Sequence, residues 1–181
     1  MHADISALLL ESYRKRFLSY KELGEKAMLQ LSDEQLHWKP DANSNSIAVI
    51  VKHMSGNMLS RFTDFLDSDG EKPWRERDAE FEESNWSKEE LLEKWNLGWH
   101  CLMNALDSLK AEDLAKTVTI RSEPHSVVDA LNRQLAHYPY HVGQIVYIAK
   151  ALKGNDWNSL SIPKGSSQAF NDQMAKQQKR T

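Results

Sequence analysis

SVVDALNRQLAHYPYHVGQIVYIAKALKG, residues 126–154, decides the architecture. Val128, Leu131, Leu135, Tyr138, Val142, Ile145, Ala149 and Leu152 recur at three- or four-residue intervals, which places them on one face of an α-helix. Ser126 followed by Asp129 resembles a capping box at its start, and Gly154 supplies the stop. A helix of this length with one apolar face needs other helices to cover that face.

Working outward, three more segments carry the same period. From about Asp4 to Leu31, the stripe is Ile5, Leu9, Tyr13, Phe17, Tyr20, Ala27 and Leu31, with Asp4 as N-cap. Ser46 is placed to cap a second helix ending near Asp67, with Ile47, Val51, Met54, Met58, Phe62 and Phe65 inward. Ser87 and Glu90 form a capping box ahead of Leu92, Trp95, Trp99, Leu102, Leu106 and Leu109, the seam of a third helix. Four such helices predict an all-α four-helix bundle.

The connections read by composition. Residues 31–46 collect Ser, Asp, Asn and Pro and predict a loop with one short turn. Ser68 to Trp86, with Gly70, Pro73 and dense charge, predicts a long surface connection. Thr117–Pro124 is β-prone and predicts a short hairpin or an extended crossover. Trp38, Trp74, Trp86 and Trp157 fall in connections and are expected to anchor them, as are Leu160, Ile162 and Phe170 beyond Asn155. Residues 1–170 are expected to form one bundle domain, and 171–181 a flexible polar tail.

Composition agrees and excludes. Gly 7 and Pro 5 among 181 residues fall well short of the about 12% of ordinary chains, a scarcity of chain-breakers that favours long helices. Lys+Arg 23 against Asp+Glu 26 leaves −3 with no basic stripe, so no nucleic-acid partner is expected; the basic residues from Lys176 to Arg180 read as a solvated terminus. No apolar run approaches a membrane span, and MHADISALLL lacks a basic region ahead of its apolar stretch. No membrane partner is expected, and a cytoplasmic location fits best. One cysteine excludes a disulfide framework and cysteine-rich zinc modules, while seven histidines leave imidazole and carboxylate as the metal chemistry.

Three of the seven histidines share a phase. His137 and His141 stand four apart, so both project from one side of the last helix. His137 precedes Tyr138 of the stripe, His141 precedes Val142, and on the second helix His53 precedes Met54. Each imidazole is therefore rotated from its apolar stripe by about 100° in the same direction. Asn57, Gln134 and Gln144 recur on the same lines and are candidates to orient the rings. Three imidazoles leave a fourth position for water or substrate and suit zinc, nickel or iron; three unrelated seam histidines are the plainer alternative.

His2, His37 and His125 read as incidental, His100 as a satisfied seam histidine, and Cys101 as a small buried hydrophobe. The spacer Tyr138-Pro139-Tyr140 lacks the glutamate of zinc proteases, and no general acid or base is named by the sequence. Pro139 removes a hydrogen bond to the Leu135 carbonyl and is unusual inside a helix.

A histidine in the second helix, the HYPYHVGQIVYIAK stretch and the closing DWNSLSIPKGSSQAFN together resemble the DinB-like (YfiT-like) metalloenzyme superfamily, within it a bacterial subgroup without an assigned reaction. The resemblance spans nearly the whole chain in order; Pro139 departs from the expected spacer. It implies a bundle, often a homodimer, binding one divalent transition metal through His53, His137 and His141. Relatives of known activity include transferases using bacillithiol or mycothiol and a mycothiol-dependent isomerase. The function expected on this basis is metal-dependent transfer of a low-molecular-weight thiol to a small electrophile. The alternatives are a metal-dependent hydrolase and a non-enzymatic metal-binding dimer.

Overall fold

The computed structural model describes residues 4–178; His2 and the basic residues beyond Gln178 lie outside the described residues. The chain is mostly helical, with six α-helices and one two-stranded sheet among the described residues. The long helices are α1 (Ile5–Met28), α3 (Ile47–Phe62), α4 (Lys88–Ser108) and α5 (Val127–Lys153); α2 (Asp33–Leu36) and α6 (Ser167–Gln178) are shorter. Strands β1 (Thr117–Ile120) and β2 (Glu123–Ser126) pair antiparallel ahead of α5.

Helix starts follow the capping chemistry. Asp4 accepts from the Ser6 N–H, Ser46 from Val49, Ser87 from Glu90 and Ser126 from Asp129. Each side chain satisfies one of the N–H groups that a first turn leaves without a partner. The Ser87–Glu90 pair is reciprocal, and a second reciprocal box at Ser32 and Gln35 starts α2 within the connection expected to be a loop with one turn. At Ser126 only half of the box forms, because the Asp129 carboxylate binds His125 Nδ1 at 2.7 Å instead. Gly154 ends α5 at φ +53°, a backbone angle that side chains disfavour. Helix α3 stops at Phe62, short of the expected Asp67, where Thr63 turns extended and Asp64 takes φ 47°.

The core is built from the expected stripes. Tyr13, Phe17, Met54, Met58, Trp95, Trp99, Leu131, Tyr138 and Ile145 are buried, with α3 packed on α4 and on α5, and α1 on α5 and on α4. The outer end of the first stripe is not core: Ile5 is 79% exposed. Helices α3 and α4 approach closely at Gly98, where a Cβ would stand 2.9 Å from the Ser55 Cα. Backbone cannot yield as a side chain does. Gly98→Ala is therefore expected to lower stability by about 1–3 kcal/mol, read as a fall in the chemical-denaturation midpoint. An unchanged midpoint would show that the two helices separate freely.

The connections differ more from expectation. Trp86 and Trp157 pack against the core, as does Leu160, but Trp38, Trp74, Ile162 and Phe170 are exposed over about half of their surface. A 12-residue helix, α6, covers most of the segment expected to be a polar tail, and its residues 167–177 are exposed. The Ser68–Trp86 segment is not a plain surface loop. Its Gly70 N–H donates to the Thr119 carbonyl of β1 at 2.8 Å, and Asp69 accepts from the Arg121 and Ser122 N–H groups at the hairpin turn. That segment then runs back across α3, with a single 3₁₀ turn at Asp78–Phe81, and buries Lys72 and Glu80.

Candidate metal centre

The periodic phase of the three histidines becomes proximity. His53 on α3 and His137 and His141 on α5 bring ring nitrogens within 4.8 Å of one another. His137 Nε2 lies 3.3 Å from His53 Nε2 and 3.0 Å from His141 Nε2. Nitrogens sharing one tetrahedral zinc at about 2.0–2.1 Å stand roughly 3.3 Å apart, so the spacing fits a common ion. Pro139 does not divide the pair: α5 stays helical through it, and both rings remain on one side.

The far side of each ring is held by oxygen. His53 Nδ1 meets Glu80 Oε2 at 2.9 Å, His137 Nδ1 meets Gln134 Oε1 at 3.3 Å, and His141 Nδ1 meets Gln144 Oε1 at 2.8 Å. Gln134 and Gln144 thus do what their helical spacing suggested. Asn57 does not: its Oδ1 accepts from the buried Tyr138 hydroxyl at 2.9 Å, tying α3 to α5. The carboxylate on His53 comes from Glu80, which the sequence reading passed over. Nothing marks it among Glu80, Glu82 and Glu83 except the neighbouring Phe81, whose ring stacks on His53 at 4.8 Å between centroids.

Glu80 is itself clamped. Arg75, its side chain only 2% exposed, donates from Nε to Oε1 at 2.7 Å and from Nη2 to Oε2 at 2.9 Å. Burial works against the carboxylate, but these bonds and the one from His53 outweigh it and hold the Glu80 pKa below its ordinary value. An ionised carboxylate only accepts, so the proton between the two groups sits on His53 Nδ1, and Nε2 is the nitrogen turned to the other two rings. Gly56 makes room for this arrangement, since a Cβ there would stand 2.9 Å from Glu80 Cδ.

Burial, then the neighbouring His141 and His53, push the His137 pKa down to about 3; burial also lowers His141. Both are neutral near pH 7, with Nδ1–H pointing at an amide oxygen and Nε2 free to donate a lone pair. Three Nε2 atoms converge, two of them on neutral rings. Such a convergence could hold a cation, and imidazole nitrogens suit a divalent transition metal better than magnesium or calcium.

The three rings form part of the wall of a cavity of about 420 Å³, together with Phe81 and Tyr140. Of the other described histidines, His37 hydrogen-bonds the Trp86 carbonyl, His125 binds Asp129, and His100 is exposed on α4 beside Asn104 instead of lying in the seam. Cys101 is half-buried against Thr63, away from this cavity, and burial raises its thiol pKa.

A mostly helical protein with a carboxylate-oriented, three-histidine centre in an open cavity is the class that fold and site define. The chain matches, over residues 4–166, the family described as "Protein of unknown function (DUF1572)", and it belongs to that family. No curated protein matches it.

Proposed function

We propose that this chain is a metalloenzyme on a four-helix-bundle frame that holds one divalent transition metal (zinc, nickel or iron) on His53, His137 and His141. The observation that carries the reading is the convergence of three Nε2 atoms on rings whose Nδ1 sides each meet a side-chain oxygen. Such a metal supplies Lewis acidity, lowering the pKa of a nucleophile in its remaining position and holding it for attack. The chain's residues do the rest. Glu80, Gln134 and Gln144 fix the tautomers and aim the rings, while Phe81 covers one face of His53.

The nucleophile proposed is a low-molecular-weight thiol, attacking a small electrophile such as an epoxide or alkyl halide. The resemblance to DinB-like thiol transferases supports the thiol. A second point favours it over water. Among the described residues lining the cavity there is no carboxylate, and the two behind it, Glu71 and Glu80, are bound by arginines. Hydrolysis needs a base or acid to move protons, whereas a thiol deprotonated on binding needs less help. The single cysteine lies outside the cavity, so the sulfur would arrive with a cosubstrate. A homodimer and a cytoplasmic location complete the proposal and rest on the resemblance and on composition; no described helix is long and apolar enough to cross a membrane.

The test is metal analysis of untagged protein followed by turnover of an electrophile and ester panel with and without added thiol. About one equivalent of metal and thiol-dependent consumption of an epoxide or halide are expected. Ester hydrolysis at the same rate without thiol would replace the transferase reading by the hydrolase. Full metal occupancy with no turnover of any panel member would leave the non-enzymatic role.

A further inference from the structure

The wall of the histidine cavity is cationic to a degree that its own acids do not balance. Arg61 from α3, Arg75 and Arg77 from the connection, Arg121 from the hairpin turn and Arg133 from α5 all line it. Among the described residues, only two carboxylates pair with these five guanidiniums. Glu71 Oε2 lies 3.1 Å from Arg61, 3.5 Å from Arg75 and 3.2 Å from Arg121, while Glu80 takes Arg75. Arg77 and Arg133 make no ion pair or side-chain hydrogen bond among the described residues, and Asp129, one turn from Arg133, is engaged by His125. Inside the wall, Arg61 Nε and Arg75 Nη1 are buried without a hydrogen-bond partner, the latter 3.5 Å from Glu71 Oε2. Buried polar atoms ordinarily find hydrogen-bond partners, so these two are exceptions.

We infer that this cavity recognises a small anion, a carboxylate or phosphate group carried by the substrate or cosubstrate, through Arg77, Arg121 and Arg133. Arg61 and Arg75 form the fixed positive floor beneath them. The guanidinium fork matches the planar carboxylate and the phosphate face, and a concave site of about 420 Å³ suits a small molecule. Clustered like charges in a cleft also raise the local concentration of a counter-charged ligand. The inference rests on the proposed function for what the anion's carrier does next, because the same cavity holds the three histidines. It does not rest on it for binding.

Calorimetric titration of the full chain, metal-free and zinc-loaded, tests it with succinate, inorganic phosphate and the uncharged match butane-1,4-diol. The metal-free protein is expected to bind at least one anion at least about tenfold more tightly than the diol, and less tightly as salt is raised. The tighter of the two identifies the head group. Arg77→Gln with Arg133→Gln, both exposed and unpaired, is expected to fold normally and to weaken that anion at least about tenfold. Equal affinity for the diol overturns the inference. So does anion binding confined to the zinc-loaded form, or left unchanged by the double substitution. Because the deciding arm contains no metal, a protein that binds anions but no zinc would sink the proposed function and leave this inference standing.

Discussion

Replacing His137 by alanine is expected to take zinc binding from the proposed one equivalent, about one per chain, to below about a tenth, the largest effect expected of any substitution in this chain. His137 is the middle member of the set, with its Nε2 within 3.3 Å of His53 Nε2 and 3.0 Å of His141 Nε2. Without it two imidazoles remain on separate helices, and two neutral donors do not hold a divalent ion against water. The fold should survive. His137 is half-buried at a cavity wall, and burial as a neutral ring beside two others contributes little that alanine would forfeit. The metal-free variant should therefore melt close to the unsubstituted metal-free protein, and the rise in melting temperature that metal gives the latter should vanish. Near-stoichiometric zinc in the variant would sink the three-histidine centre.

Glu80→Ala is expected to act on both stability and the metal. Removing the carboxylate leaves Arg75 buried and without its bidentate partner, a loss on the order of 3–5 kcal/mol. It also frees His53 Nδ1, so the ring loses the acceptor that sets its tautomer and its aim. Zinc affinity should fall about 10–100-fold. Glu80→Gln, which keeps an amide oxygen for the His53 N–H, should recover part of the metal affinity while still weakening the Arg75 clamp. A purely structural Glu80 would lower stability in both variants and leave the zinc dissociation constant of the folded protein unchanged. That constant, measured by competition with a chelator, decides between the two roles.

The helices were legible because their determinants are local. The stripe from Val128 to Leu152, the caps at Asp4, Ser46, Ser87 and Ser126 and the stop at Gly154 all act within a turn or two of chain. The phase shared by His53, His137 and His141 was legible for the same reason: equal rotation from two apolar stripes puts side chains at one edge of two packed faces. Failures came where burial was inferred from residue type alone. Ile162, Phe170, Trp38 and Trp74 are apolar yet exposed, and His100 faces outward from α4.

The Ser68–Trp86 segment marks the boundary most clearly. Without a period, its charges read as a solvated connection. In the structure Asp69 binds the hairpin turn, Gly70 bonds β1, and Arg75 carries Glu80 against His53. The five cavity arginines show the same limit, since residues scattered from 61 to 133 form no stripe in the sequence.

By itself, then, the amino-acid sequence determined the four long helices, their inward faces and the three histidines that those faces bring to one edge. Only the tertiary structure decided which acid orients His53, that Asn57 serves Tyr138 instead of a histidine, and that the cavity beside the rings is cationic. The physical reason is range. Helix periodicity and capping are settled by neighbours three or four residues away, whereas a buried ion pair between a loop and a helix depends on how distant segments pack, and no short-range pattern encodes that.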